Sequence, residues 1–290
     1  MSRPRSGLAA AADRWLFTPE AAGRVRMMRL LLAALIGVRL VTGPHRALAA
    51  EAGTLFRPVW FLSWMEEFPS SQTLVAIQVI GMVAAALAVL GWHERAAFRV
   101  SWLSLFSLAA MWASQGKIQH NDLPLLLVAG VLAAAPAGVR LRDRRRGAAW
   151  GWSVRTSLLV VAGIYFLTGF QKLVASGPAW VLSDNLRNVM YGARISGRAP
   201  TDQIALFIAD RPALAHLVAL GTIVVELGSL TTLVWARMRP CYLAAVIALH
   251  TAIYLTHGLD YSMWVGTAAI VLIDWHALFL EALDRRGARA

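Results

Sequence analysis

Lysine is nearly absent from this chain: of 28 Lys plus Arg, only Lys117 and Lys172 are lysine. Lys172 closes a long apolar run, in the stretch Ile164-Tyr165-Phe166-Leu167-Thr168-Gly169-Phe170-Gln171-Lys172-Leu173, and Trp180 follows shortly after. Arginine keeps its charge under almost all conditions, whereas a lysine amine gives up its proton once it is partly desolvated. A lysine where the other basic residues are arginine is therefore a candidate general base. The position suits equally an amine that snorkels to a membrane interface.

Other polar residues stand inside or at the ends of apolar runs, where ionisable groups are costly and face a bundle interior or a cavity. His120, Asn121 and Asp122 open one such run. His250 and Tyr254 are four apart and share a helix face. Arg39 and Glu226 lie within runs. Together these residues suggest one polar pocket. In it Lys172 is the base and His120 and His250 carry protons or orient a substrate. Arg39, Asn121, Tyr165, Trp180, Glu226 and Tyr254 line it. Each has a plainer reading: His120 as a helix cap, His250 as a hydrogen-bonded core residue, Glu226 and Arg39 as a structural ion pair. His93, His216 and His276, beside interfacial aromatics, read as anchors. No metal site is expected, because no two histidines or carboxylates show the spacing that puts ligands on one helix face. A glycine-rich phosphate loop and a serine-nucleophile elbow are also missing; Gly163 and Gly169 suit close helix packing.

The elements that must position these groups are membrane helices. The chain is 58% hydrophobic and 15% charged, against about 25% charged for a soluble domain. The apolar runs match the roughly 20 residues needed to cross about 30 Å of hydrocarbon. Short alternating strands, the mark of a membrane β-barrel, are missing. The expected fold is all-α, a polytopic integral membrane bundle of about eight spans: Met27–Gly43, Thr73–Leu90, Ala97–Ser114, Leu123–Val139, Val154–Lys172, Pro212–Trp235, Cys241–Thr256 and Tyr261–Leu280. Residues 1–26 form a cytoplasmic tail with a short interfacial helix near Asp13–Phe17, and residues 281–290 a second tail. Loops 44–72 and 173–212 lie outside. Trp60, Trp64 and Phe68 suit a membrane surface, and the 173–212 loop holds short helices rather than a span. With both ends inside, the inner face carries more than twice the basic residues of the outer, as the positive-inside rule requires. The net charge of +12 is explained that way and does not imply nucleic acid. Ala47-Leu48-Ala49 is similar to a signal-peptidase site, but the long polar lead and Arg39 argue for a retained first span. The single cysteine, Cys241, excludes an internal disulfide or a CxxC pair.

The segment Tyr165–Leu173 with Trp180 resembles the membrane motif of vitamin K-dependent gamma-carboxylases and of their bacterial relatives, the HTTM (horizontally transferred transmembrane) proteins. Gln119-His120-Asn121-Asp122-Leu123 resembles the family's asparagine/histidine segment. Val225-Glu226-Leu227 with Arg237 and Arg239 resembles its glutamate-bearing helix, and Leu249-His250 through Met263 its histidine-bearing helix. The resemblance covers roughly residues 27–280 as one HTTM-like domain and implies the following. A lysine, here Lys172, deprotonates vitamin K hydroquinone; oxygen then yields an alkoxide base and the epoxide. That base takes a glutamate γ-proton, and carbon dioxide adds to the carbanion. His120 matches a histidine that assists carboxylation, and the site faces outward. Two departures stand out. The family's paired lysines are Gln171-Lys172 here, and no counterpart of the large propeptide-binding lumenal domain is expected.

The resulting expectation is a multi-pass protein of a bacterial inner membrane. Its partners are the bilayer and a lipophilic small molecule, with a reduced quinone as the candidate cofactor. A non-enzymatic maturation, export or assembly factor is the alternative, with loop 174–211 as its working surface. A small-solute transporter would need broken midplane helices or inverted repeats, and neither is evident.

Overall fold

The computed structural model describes residues 7–43, 56–115, 120–136 and 140–288. The Ala47-Leu48-Ala49 site, Lys117 and Gln119 lie outside the described residues. Among the described residues the regular structure is helical apart from one two-residue antiparallel pairing, and the chain divides into two compact units.

The first unit holds residues 1–157 and 274–290. Its elements are α1 (Gly7–Leu16), β1 (Glu20–Ala21), α2 (Ala22–Thr42), α3 (Ser71–Leu90), α4 (Glu94–Ala113), α5 (Leu123–Ala134), β2 (Arg146–Gly147), the start of α6 (Ala148–Ser176) and α14 (Trp275–Gly287). α3 and α4 pack side by side, and α2 lies against α3, α4, α5 and α14. The core is aliphatic, with Leu32, Ile36, Leu40, Leu74, Leu105, Leu108, Leu125 and Leu132 fully buried beside Phe98. Ser70 caps α3 by accepting the Thr73 N–H at 3.2 Å, and Asp274 caps α14 through Ala277 N–H.

The segment expected as a cytoplasmic tail is folded. β1 pairs with β2, and Glu20 is buried, with Arg24 and Arg155 each at 3.1 Å. The Arg140–Arg155 run thus holds structure as well as charge: Arg144 reaches Asp284 and Arg145 reaches Asp143. His276 is not an interfacial anchor. It is buried, its Nε2 at 2.8 Å from the Leu141 carbonyl.

α5 is 12 residues long and ends at Ala134, short of the span expected through Val139. Pro136 disfavours helix in the residue before it. The free carbonyls at this end are taken by guanidinium groups. Arg29 Nε donates to Leu132 O at 3.0 Å, its Nη2 donates to Ala135 O and Pro136 O, and Arg99 Nε donates to Ala133 O at 2.9 Å. Arginines do here what backbone partners or water do at other helix ends.

The second unit holds residues 158–273. It comprises the rest of α6, α7 (Ala179–Leu182), α8 (Asn185–Ile195), α9 (Asp202–Ala209), α10 (Pro212–Gly228), α11 (Thr231–Val234), α12 (Arg239–His257) and α13 (Ser262–Leu272). α10 packs against α7, α8, α9 and α12, and α12 against α13. Pro212 and Pro240 stand in the first turns of α10 and α12, where no N–H partner is lost. Gly258 ends α12 with φ +67, and any Cβ there would strike the Arg198 carbonyl.

Among the described residues, five helical stretches are long and apolar enough to cross a membrane: Ser71–Leu90, Glu94–Ala113, Ala148–Ser176, Pro212–Val234 and Ala236–His257. The bent pair α13 and α14 makes a sixth if counted as one span. α2 is 21 residues long, but Arg24, Arg26, Arg29 and Arg39 interrupt it.

Candidate functional site

Tyr165, Gly169, Lys172 and Ser176 recur at spacings of four and three along α6, so they share one face. The end of α10 lies against that face. A Cβ on Gly169 would come 2.8 Å from Glu226 Cβ, so only glycine admits the carboxylate so close to α6. One end of the contact is fixed by Ser229, whose hydroxyl donates to Ala162 O at 2.8 Å. At the other end Lys172 Nζ meets Glu226 Oε1 at 2.5 Å.

The lysine is held rather than loose. Its side chain is 25% exposed, and its ammonium sits 4.7 Å from the centre of the Trp180 ring. An ion pair and a ring face thus fix the position of the amine. Glu226 is buried, and its second oxygen, Oε2, has no hydrogen-bond partner. Lys172, Trp180, Gln171, Thr168, Ser183 and Asn185 line a cleft of about 570 Å³.

His250 forms the other half of the constellation. Its Nε2 lies 2.8 Å from the Tyr165 hydroxyl, and both residues are buried. Aromatic rings pack around them. Tyr165 meets Tyr242 and Trp264 edge-on, and His250 lies 5.1 Å from the Tyr261 ring centre. The other ring nitrogen, His250 Nδ1, is buried without a partner. His250, Tyr254, Tyr261, Asp260 and Val265 line a second cleft of about 610 Å³.

Six of the nine residues singled out in the sequence, namely Tyr165, Lys172, Trp180, Glu226, His250 and Tyr254, thus belong to one unit. They do not share one pocket, because Lys172 and His250 line different clefts. Arg39, His120 and Asn121 belong to the first unit. His120 is exposed and Asn121 half-buried on the turn before α5. Arg39 pairs with buried Asp122 at 2.6 Å and covers the Trp112 ring. Arg39 and Glu226 each have a partner within their own unit. Tyr242, Tyr261 and Trp264 were not anticipated. Tyr242 stands two helical repeats before His250, a spacing that could have revealed it.

No protein-family model, no curated protein and no solved structure matches the chain.

Proposed function

We propose that the chain is a multi-pass HTTM/gamma-carboxylase-like protein of a bacterial inner membrane, with both ends inside. It deprotonates a quinol-like lipophilic substrate with Lys172 as base. The observation that carries this reading is the pinned amine. Lys172 stands at a cleft, bonded to a buried carboxylate whose second oxygen is open. Transfer of the ammonium proton to Glu226 leaves a neutral amine beside a neutral acid, with no net charge created in a poorly hydrated site. The amine then takes the substrate's hydroxyl proton, and the resulting anion faces an ammonium. Trp180 supplies a ring on which a flat substrate can stack. Tyr165 and His250 are joined by a hydrogen bond, and His250 lines the second cleft.

The same short Lys172–Glu226 contact supports a second reading, a non-enzymatic assembly factor in which the pair only joins α6 to α10. One experiment separates the two. The protein is purified in nanodiscs, its co-bound lipids and quinones are identified by mass spectrometry, and consumption of a reduced naphthoquinone in air is followed. Wild type consumes it, and Lys172→Arg still binds it but loses about 100-fold or more in turnover, the scale of general-base catalysis. Equal turnover in Lys172→Arg overturns the base, and no turnover in wild type leaves the assembly reading standing.

A further inference from the structure

The segment between α6 and α10 has a second role to explain. α6 ends at Ser176 and α7 starts at Ala179; α9 ends at Ala209 and α10 starts at Pro212. The α7–α9 segment is therefore tied at both ends, within three residues, to helices long and apolar enough to cross a bilayer. Its own helices have 11 residues in α8 and eight in α9. At 1.5 Å per residue these reach only about 17 and 12 Å, too little to cross.

The segment is nonetheless apolar on its outside. Met190, Ala205 and Ala209 form its small core, with Leu186 and Ile208 packed on it. With that core satisfied, Ile204 and Phe207 still stand 43% and 55% exposed on one face of α9, and Ile195 is 87% exposed at the end of α8. The cations sit beside this apolar surface. Arg211 lies over the Phe207 ring at 3.9 Å, so one residue offers a ring and its neighbour a guanidinium at the same spot. Arg194 and Arg198 are exposed nearby in sequence. Apolar side chains next to arginines, on short helices fixed to span ends, match the layering of acyl chains under phosphates.

We propose that α7–α9 is a membrane-surface platform. It lies in the headgroup layer of the leaflet that the Ser176 end of α6 reaches. Ile204 and Phe207 enter the acyl region, and Arg211 binds lipid phosphate. The Lys172 cleft, partly walled by α7 and Asn185, then opens at headgroup depth, within reach of a molecule dissolved in lipid. The inference rests on α6 and α10 crossing the bilayer.

Cys241 is the chain's single cysteine, so Cys241→Ser gives a background for site-specific spin labels. Ile204→Cys and Phe207→Cys are labelled in nanodiscs of phosphatidylethanolamine and phosphatidylglycerol. Collisions with oxygen, which concentrates in lipid, are compared with those of a water-soluble nickel chelate. Leu217→Cys, exposed on α10, is the bilayer reference. At positions 204 and 207 the oxygen-to-nickel ratio shifts toward the Leu217 value. Nickel-dominated collisions there, with oxygen dominant at 217, overturn the platform and leave the span intact. Loss of both kinds of collision means that protein covers the face, which also overturns it. Nickel dominance at 217 removes the span and the platform with it.

Discussion

The two units use buried charge differently. In the first, cations are spent on closure. Arg29 and Arg99 end a helix, Arg39 takes Asp122, and Arg24 and Arg155 converge on Glu20. In the second, a buried carboxylate and a buried imidazole are each held by one partner, Lys172 and Tyr165. Glu226 keeps one oxygen open beyond Lys172, and His250 keeps one nitrogen open beyond Tyr165. Lys172 lines one of the clefts described above and His250 the other. A polar group whose bonds are all internal holds a fold, whereas one with capacity left at a cleft can act on something else.

This contrast is open to attack by mutation. The largest expected effect is in the first unit. Arg29→Met strips the arginine donors from Ala135 O and Pro136 O and leaves Leu132 O with only the Ala135 N–H, a loss of about 3 kcal/mol. Lys172→Met leaves Glu226 buried without its partner, and uptake of a proton by that carboxylate limits the loss to about 1–2 kcal/mol. Thermal midpoints of the two variants in one detergent check the order, and a reversed order breaks the comparison. Next comes Gly169→Ala. The added methyl overlaps Glu226, forcing α6 and α10 apart at about 1–3 kcal/mol for overpacking. It lowers quinol turnover more than its stability loss explains, since it moves the carboxylate that holds the amine. An unchanged thermal midpoint would mean the helices yield freely there.

The smallest effect belongs to the 140–147 loop. Two Arg145 contacts, from its side chain and its backbone N–H, hold the Asp143 carboxyl at about 2, below its ordinary 3.8. A carboxyl lowered in the folded state adds stability above its unfolded value, and that stability is lost as pH falls toward the folded value. Asp143→Asn therefore slightly lowers stability above pH 4, and the difference from wild type closes as pH falls through 2. Melting curves across that range test it, and parallel curves for the two proteins would remove the role.

Much of this was legible in advance, and the failures share a cause. The apolar runs mark helices because length and composition are local properties. Gly169 reads as a packing glycine, and Lys172 stands out because lysine is scarce. Partners are different. That Glu226 meets Lys172 rather than Arg39, and that His276 meets a carbonyl 135 residues away, depends on which helices become neighbours. No short-range spacing encodes that choice. The early end of α5 was partly readable from Pro136, but the arginines that make the stop tolerable come from other helices.

The ending of α5 bears on how the chain is built. A helix whose last carbonyls depend on side chains from elsewhere is poorly suited to lipid by itself. Arg29 and Arg99 both precede α5 in the chain. During synthesis from the N-terminus, the donors are therefore already in place when the acceptors emerge. The short helix docks onto a prepared socket, and the order of translation spares it a period of exposed carbonyls.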